Sequence, residues 1–188
     1  MHVRKKLDIA WGDLAYGAVR SLFSGDAAAL ERRLEDFWSA GGDALACLSV
    51  RSGFDLLLQA LALPAGSEIL LSAVTIRDMV RIIERHGLVA VPVDLDMDSL
   101  SVRADDIARR AGPRSKALLV AHLFGSRMPM EELIRAARER GLLVIEDCAQ
   151  AYDGTGYRGH PESDISLFSF GPIKTATALG GALLRVRD

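Results

Sequence analysis

Leu142-Leu143-Val144-Ile145-Glu146-Asp147 is a run of four aliphatic residues ending in two acids. A short, continuous apolar run reads as a strand buried on both faces, as strands of a parallel sheet are. Outward from it, from about residue 46, short β-rich runs alternate with amphipathic stretches, the pattern of βαβ units. The strand candidates are Ala46–Val50, Glu68–Ser72, Val89–Asp94, Lys116–Leu123, Leu142–Glu146, Ile165–Phe168 and Ala182–Val186. Between them lie helix candidates Gly53–Ala62, Ile76–His86, Ala104–Arg110 and Met130–Arg140, the last with Leu133, Ile134 and Ala137 at helical spacing. The expected fold is α/β, a mostly parallel seven-stranded sheet with right-handed crossovers and helices on both faces. In such a sheet the ligand crevice lies at the carboxyl ends of the strands.

Residues 1–45 read differently, as an N-terminal arm and helix packed outside the sheet. Ala28–Trp38 places Leu30, Leu34, Phe37 and Trp38 on one side and is closed by Gly41-Gly42. Arg4-Lys5-Lys6 reads as a solvated arm. The 188 residues carry 23 basic and 25 acidic side chains, a formal charge of −2, with 49% hydrophobic residues. That balance describes a globular protein and argues against a nucleic-acid binder, which needs a basic excess. The best apolar run, Ala117–Phe124, is broken by His122 and falls short of a membrane span. No apolar stretch follows the basic N-terminus as a secretory signal requires. Two cysteines, Cys47 and Cys148, make neither a disulfide framework nor a paired-thiolate metal spacing. A reduced, cytoplasmic protein is expected.

Three segments could carry chemistry. Ser49-Val50-Arg51-Ser52-Gly53 falls where a strand gives way to a helix, so free backbone N–H groups and the positive helix end could hold a phosphate, with Arg51 adding charge. Ser52 is equally an ordinary helix cap. Glu146 and Asp147 end a buried strand, where an acid projects into the crevice or caps the next turn. Lys174, in Ser169-Phe170-Gly171-Pro172-Ile173-Lys174, lacks charged sequence neighbours; partial burial would lower its pKa towards that of a nucleophilic amine, and snorkelling from a loop is the alternative. Asp94, Asp96 and Asp98 fail as a calcium loop, because Ser99 stands where glycine is needed and Asp105 where the bidentate glutamate belongs. His122 reads as a satisfied structural histidine, and no metal site is expected.

In order, these segments resemble the DegT/StrS-type sugar aminotransferases, pyridoxal-phosphate enzymes of fold type I. The resemblance runs through Ala60–Ile69, Val93-Asp94-Leu95-Asp96 and His122-Leu123-Phe124-Gly125. It is most specific at Glu146-Asp147-Cys148-Ala149-Gln150-Ala151 and Phe168–Lys174. It implies that residues 46–188 are the cofactor-binding large domain and that the family's C-terminal small domain is absent from this chain. It further implies that Lys174 bonds covalently to pyridoxal 5′-phosphate and later carries the proton between substrate Cα and cofactor C4′. Asp147 would pair with the pyridinium nitrogen, Gln150 would lie near the phenolic oxygen, and Ser169, Arg51 and Ser52 would hold the phosphate.

The family pattern is departed from in three places. Val50-Arg51 replaces the usual Gly-Thr of the phosphate cup, removing a permissive glycine. Ile76, after Thr75, stands where an aromatic residue stacks on the cofactor ring. Thr175–Leu179, after Lys174, is one residue shorter and lacks a glutamate. The resemblance implies amino transfer, with glutamate as donor, to a nucleotide-linked keto-sugar in sugar, polysaccharide or antibiotic biosynthesis. A homodimer, or a separately encoded C-terminal half, would complete the site. Two other readings stand beside it: a catalytically incomplete remnant serving as a cofactor-binding or regulatory domain, and a different fold-type-I reaction such as dehydration. Retention of Lys174 weighs against the last.

Overall fold

The computed structural model describes residues 9–23, 25–39, 41–154 and 156–187; the Arg4-Lys5-Lys6 arm lies outside them. Two helices, α1 (Trp11–Leu22) and α2 (Ala27–Trp38), precede β1 (Ala44–Cys47) and α3 (Val50–Leu61). Next come β2 (Glu68–Ser72), α4 (Arg77–Arg85), β3 (Val89–Val93), a two-residue ribbon of β4 (Leu95–Asp96) and β5 (Ser101–Val102), and α5 (Ala104–Arg110). The chain then runs through β6 (Ser115–Ala121), α6 (Met130–Arg138), β7 (Leu143–Asp147), β8 (Ile165–Ser169) and β9 (Ala182–Val186).

The main sheet has seven strands in the order β1-β9-β8-β7-β6-β2-β3. β3, β2, β6, β7 and β8 are parallel neighbours. β9 is antiparallel to both β8 and β1, so β1 points with the other five while touching only β9. The expected strands are the observed ones, with ends that shift by a few residues. The largest shift is at the first: the strand is Ala44–Cys47, not Ala46–Val50, because Val50 already opens α3. Ser49, not Ser52, is the N-cap. The Ser49 Oγ accepts the Ser52 N–H at 3.1 Å and the Ser52 Oγ accepts the Ser49 N–H at 3.0 Å, a reciprocal box that starts the helix two residues before Ser52.

Side-chain alternation sorts β2, β6 and β7 onto two cores. Ile69, Leu71, Ala117, Leu119 and Ile145 face α3 and α4, where Phe54, Leu58, Met79 and Ile83 are fully or nearly fully buried. Leu70, Leu118, Val120 and Val144 face α5 and α6, against Ile107, Leu133, Ile134 and Ala137. Gly53 lets α3 lie close on the sheet: a Cβ there would come within 2.4 Å of Leu184 Cδ1 on β9.

α2 is docked by two devices. Trp38 packs its ring edge against Phe168 and Phe170, with centroids 5.0 and 5.7 Å away, in a cluster that Tyr152 completes. Glu35 Oε1 accepts the Ala46 N–H at 2.8 Å, covering a donor on the otherwise open edge of β1. The arm expected before α2 contains a further helix, α1. Its N-terminus is fixed by Asp13, whose carboxylate accepts the Ala10 N–H at 2.8 Å, and it buries no residue.

Candidate functional site

β7 ends with its two acids on opposite faces of the sheet. Asp147 follows Ile145 by two residues and so shares the face that carries α3 and α4; Glu146 follows Val144 onto the other. Asp147 is 7% exposed and its Oδ1 accepts the Ala149 N–H at 2.9 Å. Burial raises its pKa, opposed by that hydrogen bond and by the positive charge of Lys174. The strand-end acid is therefore more than a turn cap: it is a buried carboxylate that feels the positive charge of Lys174.

Ser169 closes β8 on the same face as Asp147, two residues beyond the buried Leu167. Lys174 lies half-buried in the turn that follows, its N–H donating to the Gly171 oxygen at 3.0 Å. Thr177 Oγ1 donates to the Gly171 oxygen at 2.9 Å and accepts the Leu179 N–H at 3.0 Å, so the shortened Thr175–Leu179 stretch is a braced loop. Across β9 and β8 lies the N-terminus of α3. Its first-turn N–H groups have no intrahelical carbonyl to pair with, and Ser49 takes that of Ser52.

The Arg51 guanidinium points into a cleft of about 400 Å³ between α3 and α4, where its Nη1 lies 3.0 Å from Asp78 Oδ2. In this arrangement the cation of the expected phosphate cup belongs to an exposed ion pair. Ser52, Asp55, Arg81 and Arg85 also line the cleft. Ile76 is the half-exposed N-cap of α4. Beside it, Thr75 Oγ1 is buried without a hydrogen-bond partner.

Gln150 follows the turn after β7, and its Oε1 accepts the Phe124 N–H at 3.2 Å. A backbone N–H can pair only with the amide oxygen, so the NH2 end of Gln150 is left to donate elsewhere. Asp147, Gln150, Ser169, Lys174 and the α3 N-terminus thus come together at the carboxyl edge of the sheet. The side chain of Arg51 turns aside to Asp78.

Sequence reasoning leaves Glu146 either facing the crevice or capping the next turn; the structure shows neither and makes it a buried hub. It is completely buried and accepts from His122 Nε2 at 2.7 Å, the His160 N–H at 2.7 Å, Ser163 Oγ at 2.9 Å and the Tyr157 hydroxyl. Burial raises its pKa, but the bonds from His122, Tyr157 and His160 overcome this and hold the carboxyl at about 2. The same carboxylate and burial push the Tyr157 hydroxyl far above the usual tyrosine range. Nothing in the spacing of residues 146, 157, 160 and 163 announces this network. A glutamate inside an apolar strand was the available signal, because a buried carboxylate requires several donors.

His122, Glu146 and Cys148 bring possible ligand atoms within 4.8 Å of one another. The Met128 N–H donates to His122 Nδ1 at 3.1 Å, so Nε2 carries the proton and gives it to Glu146. Burial, foremost, and the neighbouring carboxylates push the Cys148 thiol well up. As folded, both His122 nitrogens and both Glu146 oxygens are engaged within the protein and the Cys148 thiol keeps its proton, so the group is a closed hydrogen-bond cluster.

A family model for the DegT/DnrJ/EryC1/StrS aminotransferases matches residues 20–188. The chain belongs to that family. Among its DegT-family relatives, Protein MosB of Rhizobium meliloti is 34% identical over 163 residues, 85% of this chain and 32% of that protein. GDP-perosamine synthase of Escherichia coli O157:H7 is 34% identical over 136 residues, 71% of this chain and 37% of the synthase. Among solved structures, the sugar aminotransferase CalS13 of Micromonospora echinospora superposes with a TM-score of 0.80 at 26% identity, covering 100% of this chain and 55% of CalS13. The sheet and its flanking helices are accordingly the fold of the fold-type-I pyridoxal-phosphate aminotransferases. The chain spans about a third of the length of the curated DegT-family relatives and about half that of the solved ones.

Proposed function

We propose that residues 46–188 form the pyridoxal-phosphate-binding domain of a sugar aminotransferase that moves an amino group from glutamate to a nucleotide-linked keto-sugar. The observation that carries this reading is the pairing of a buried carboxylate, Asp147, with the charge of Lys174 at the carboxyl edge of β7 and β8. The names of the relatives, a GDP-perosamine synthase and a sugar aminotransferase, support the substrate class.

The residues present suit the cofactor. A buried carboxylate with one oxygen on the Ala149 N–H has capacity for a ring N–H, and the orphaned Thr75 hydroxyl lies in the segment that would flank the ring. When bound, the group supplies an electron sink conjugated to the substrate Cα. Asp147 would keep a proton on the ring nitrogen, and burial strengthens that interaction by excluding water. Lys174 would hold the cofactor and then move a proton at the substrate Cα. Gln150 would donate its amide N–H near the phenolic oxygen. Ser169, Ser52 and the first-turn N–H groups of α3 would bind the phosphate, while Ile76 would cover the ring with an aliphatic face. Leu48, Ile173 and Leu179 are exposed apolar residues in the loops around this edge, which supports a homodimeric contact there. Cys47 and Cys148 are both free thiols, in keeping with the cytoplasm. No helix among the described residues is long and apolar enough to cross a membrane.

Mixing the chain with pyridoxal phosphate should give a visible band that borohydride fixes as a mass increment on Lys174. The reading fails if Lys174→Ala leaves that band and increment unchanged. A remnant that binds the cofactor without turnover is the second reading, favoured by the Arg51–Asp78 ion pair, which withholds the cup's cation. Conversion of the bound cofactor to its amine form by glutamate rules the remnant out; binding without conversion by any of a panel of amino donors supports it.

A further inference from the structure

The turn after β6 is built under strain. Phe124 has φ +56° and Gly125 has φ +85°, so two successive residues sit in the left-handed region and one of them is a phenylalanine with 72% exposure. Such a residue is disfavoured in the left-handed region and persists only where its surroundings impose it. Two bonds close the turn locally: the Ser126 N–H and Ser126 Oγ both donate to the Leu123 oxygen, at 2.9 and 2.7 Å. A third spans it. His122 Nδ1 accepts the Met128 N–H at 3.1 Å, tying the two ends of the 122–128 segment together, while Nε2–H is anchored on Glu146.

The product of this strain is one exposed-side donor, the Phe124 N–H, which is directed at Gln150 Oε1. That bond decides which end of the Gln150 amide remains to donate. The His122 side chain is buried against Glu146, on the face of the sheet opposite Asp147, so its reach to Gln150 is through the turn.

We propose that His122 is a positioning residue: by clamping the Leu123–Ser126 turn it holds the Phe124 N–H on Gln150 and so keeps the Gln150 NH2 facing the cofactor. This rests on the cofactor reading above for the role of Gln150, but the clamp itself is a property of the folded chain. The fixed end is the strand itself, since the His122 N–H donates to the Asp147 oxygen at 3.0 Å, and Glu146 sets the tautomer that leaves Nδ1 free to accept.

Two isosteric replacements separate clamp from anchor. An asparagine places its oxygen near the Nδ1 position, and a glutamine places its polar end near Nε2. His122→Asn should retain the Met128 bond and lose Glu146; His122→Gln should do the reverse. Amide hydrogen exchange reads the turn without cofactor. His122→Gln should speed exchange at Phe124 by about tenfold or more, and His122→Asn should leave it within about threefold of wild type. With pyridoxal phosphate added, only the glutamine variant should shift the pH midpoint of the visible band. Equal effects of both variants on Phe124 overturn the clamp, as does an unchanged Phe124 rate in His122→Gln.

Should His122→Gln fail to fold, the wild type and Gln150→Leu decide the matter. The wild-type Phe124 and Met128 amides should share one opening free energy, and Gln150→Leu should release Phe124 while leaving Met128 protected. A wild-type Phe124 amide protected about thirtyfold less than Met128 refutes the coupling. If the wild type gives no band at all, the cofactor reading fails on that arm while the exchange arm still judges the clamp.

Discussion

Glu146→Gln keeps the shape of the hub and removes its charge. Each carboxylate oxygen receives more than one donor: His122 and Tyr157 on Oε1, the His160 N–H and Ser163 on Oε2. An amide must present its NH2 to one of these pairs. The Tyr157 and Ser163 hydroxyls can turn to accept, but the His160 N–H cannot, and His122 could do so only by surrendering the Met128 bond. One buried donor is therefore left facing a donor, at about 1–3 kcal/mol, and the remaining bonds lose their charge assistance. The pKa gives an independent figure. Glu146 titrates at about 2 when folded against 4.5 as a free side chain, a difference that corresponds to about 3 kcal/mol of stability at neutral pH.

The sign follows from the direction of that difference. A carboxyl whose folded pKa is depressed contributes in full above its unfolded pKa and loses its contribution as pH falls towards the folded one. Between pH 7 and 3.5 about 1 kcal/mol should drain away. Asp147 works the other way, since burial raises its pKa and acidification relieves its charge. The comparison that isolates Glu146 is wild type against Glu146→Gln, by urea denaturation at a series of pH values. The variant should be about 3 kcal/mol less stable at pH 7, and the gap should narrow by about 1 kcal/mol at pH 3.5. A variant within about 1 kcal/mol of wild type at pH 7, or a gap independent of pH, refutes the account of Glu146 as a charged hub.

Gly159 has φ +84°, and a Cβ there would fall 2.1 Å from Ser166 Oγ and 2.6 Å from Ser166 Cβ. Gly159→Ala should cost about 3 kcal/mol, and a Ser166→Gly background should recover at least about 1 kcal/mol of it in a double-mutant cycle. Trp38→Ala removes the centre of the aromatic cluster and the face on which the Arg158 guanidinium lies 3.7 Å from the ring centroid; chemical denaturation should register a loss of about 3–5 kcal/mol. Asp164 accepts from both Arg138 and Arg187 and from the Val144 N–H at 2.7 Å. Asp164→Ala should destabilise by about 2 kcal/mol and raise hydrogen exchange at Val144, whereas Asp164→Asn should recover part of the Val144 protection.

The sheet was legible because β2, β6 and β7 are buried on both faces, and such strands spell themselves as unbroken runs such as Leu142–Ile145. The α3 start was misplaced because Val50, a β-branched residue, prolongs the apparent strand while the Ser49–Ser52 box ends it. α1 buries no residue, and α2 buries Trp38 while Leu30, Leu34 and Phe37 of its expected apolar side stay exposed, so an apolar stripe on these helices does not report packing on the sheet. At the site, the strand end marks Asp147 and the uncharged sequence neighbours mark Lys174, whereas Ser169 is singled out by the family resemblance alone. The direction of Arg51 was not, because its partner Asp78 is 27 residues away on a different helix. Glu146 shared its position with Asp147 in the strand, and only the alternation of faces separates the buried hub from the residue at the crevice.

The pairing of β1 with β9 joins residue 44 to residue 185. It makes the order of synthesis matter. When β1 leaves the ribosome its antiparallel neighbour β9 is still far from being made, and α3, although α4 can pack beside it early, waits for β8 and β9 on its other side. The central parallel strands and α4 can pack first, while the side of α3 that lies on β8 and β9 stays uncovered until those strands are made. A nascent chain of this architecture therefore holds α3 half-covered until β9 is made, and the pairing that completes its burial also secures the edge of the sheet.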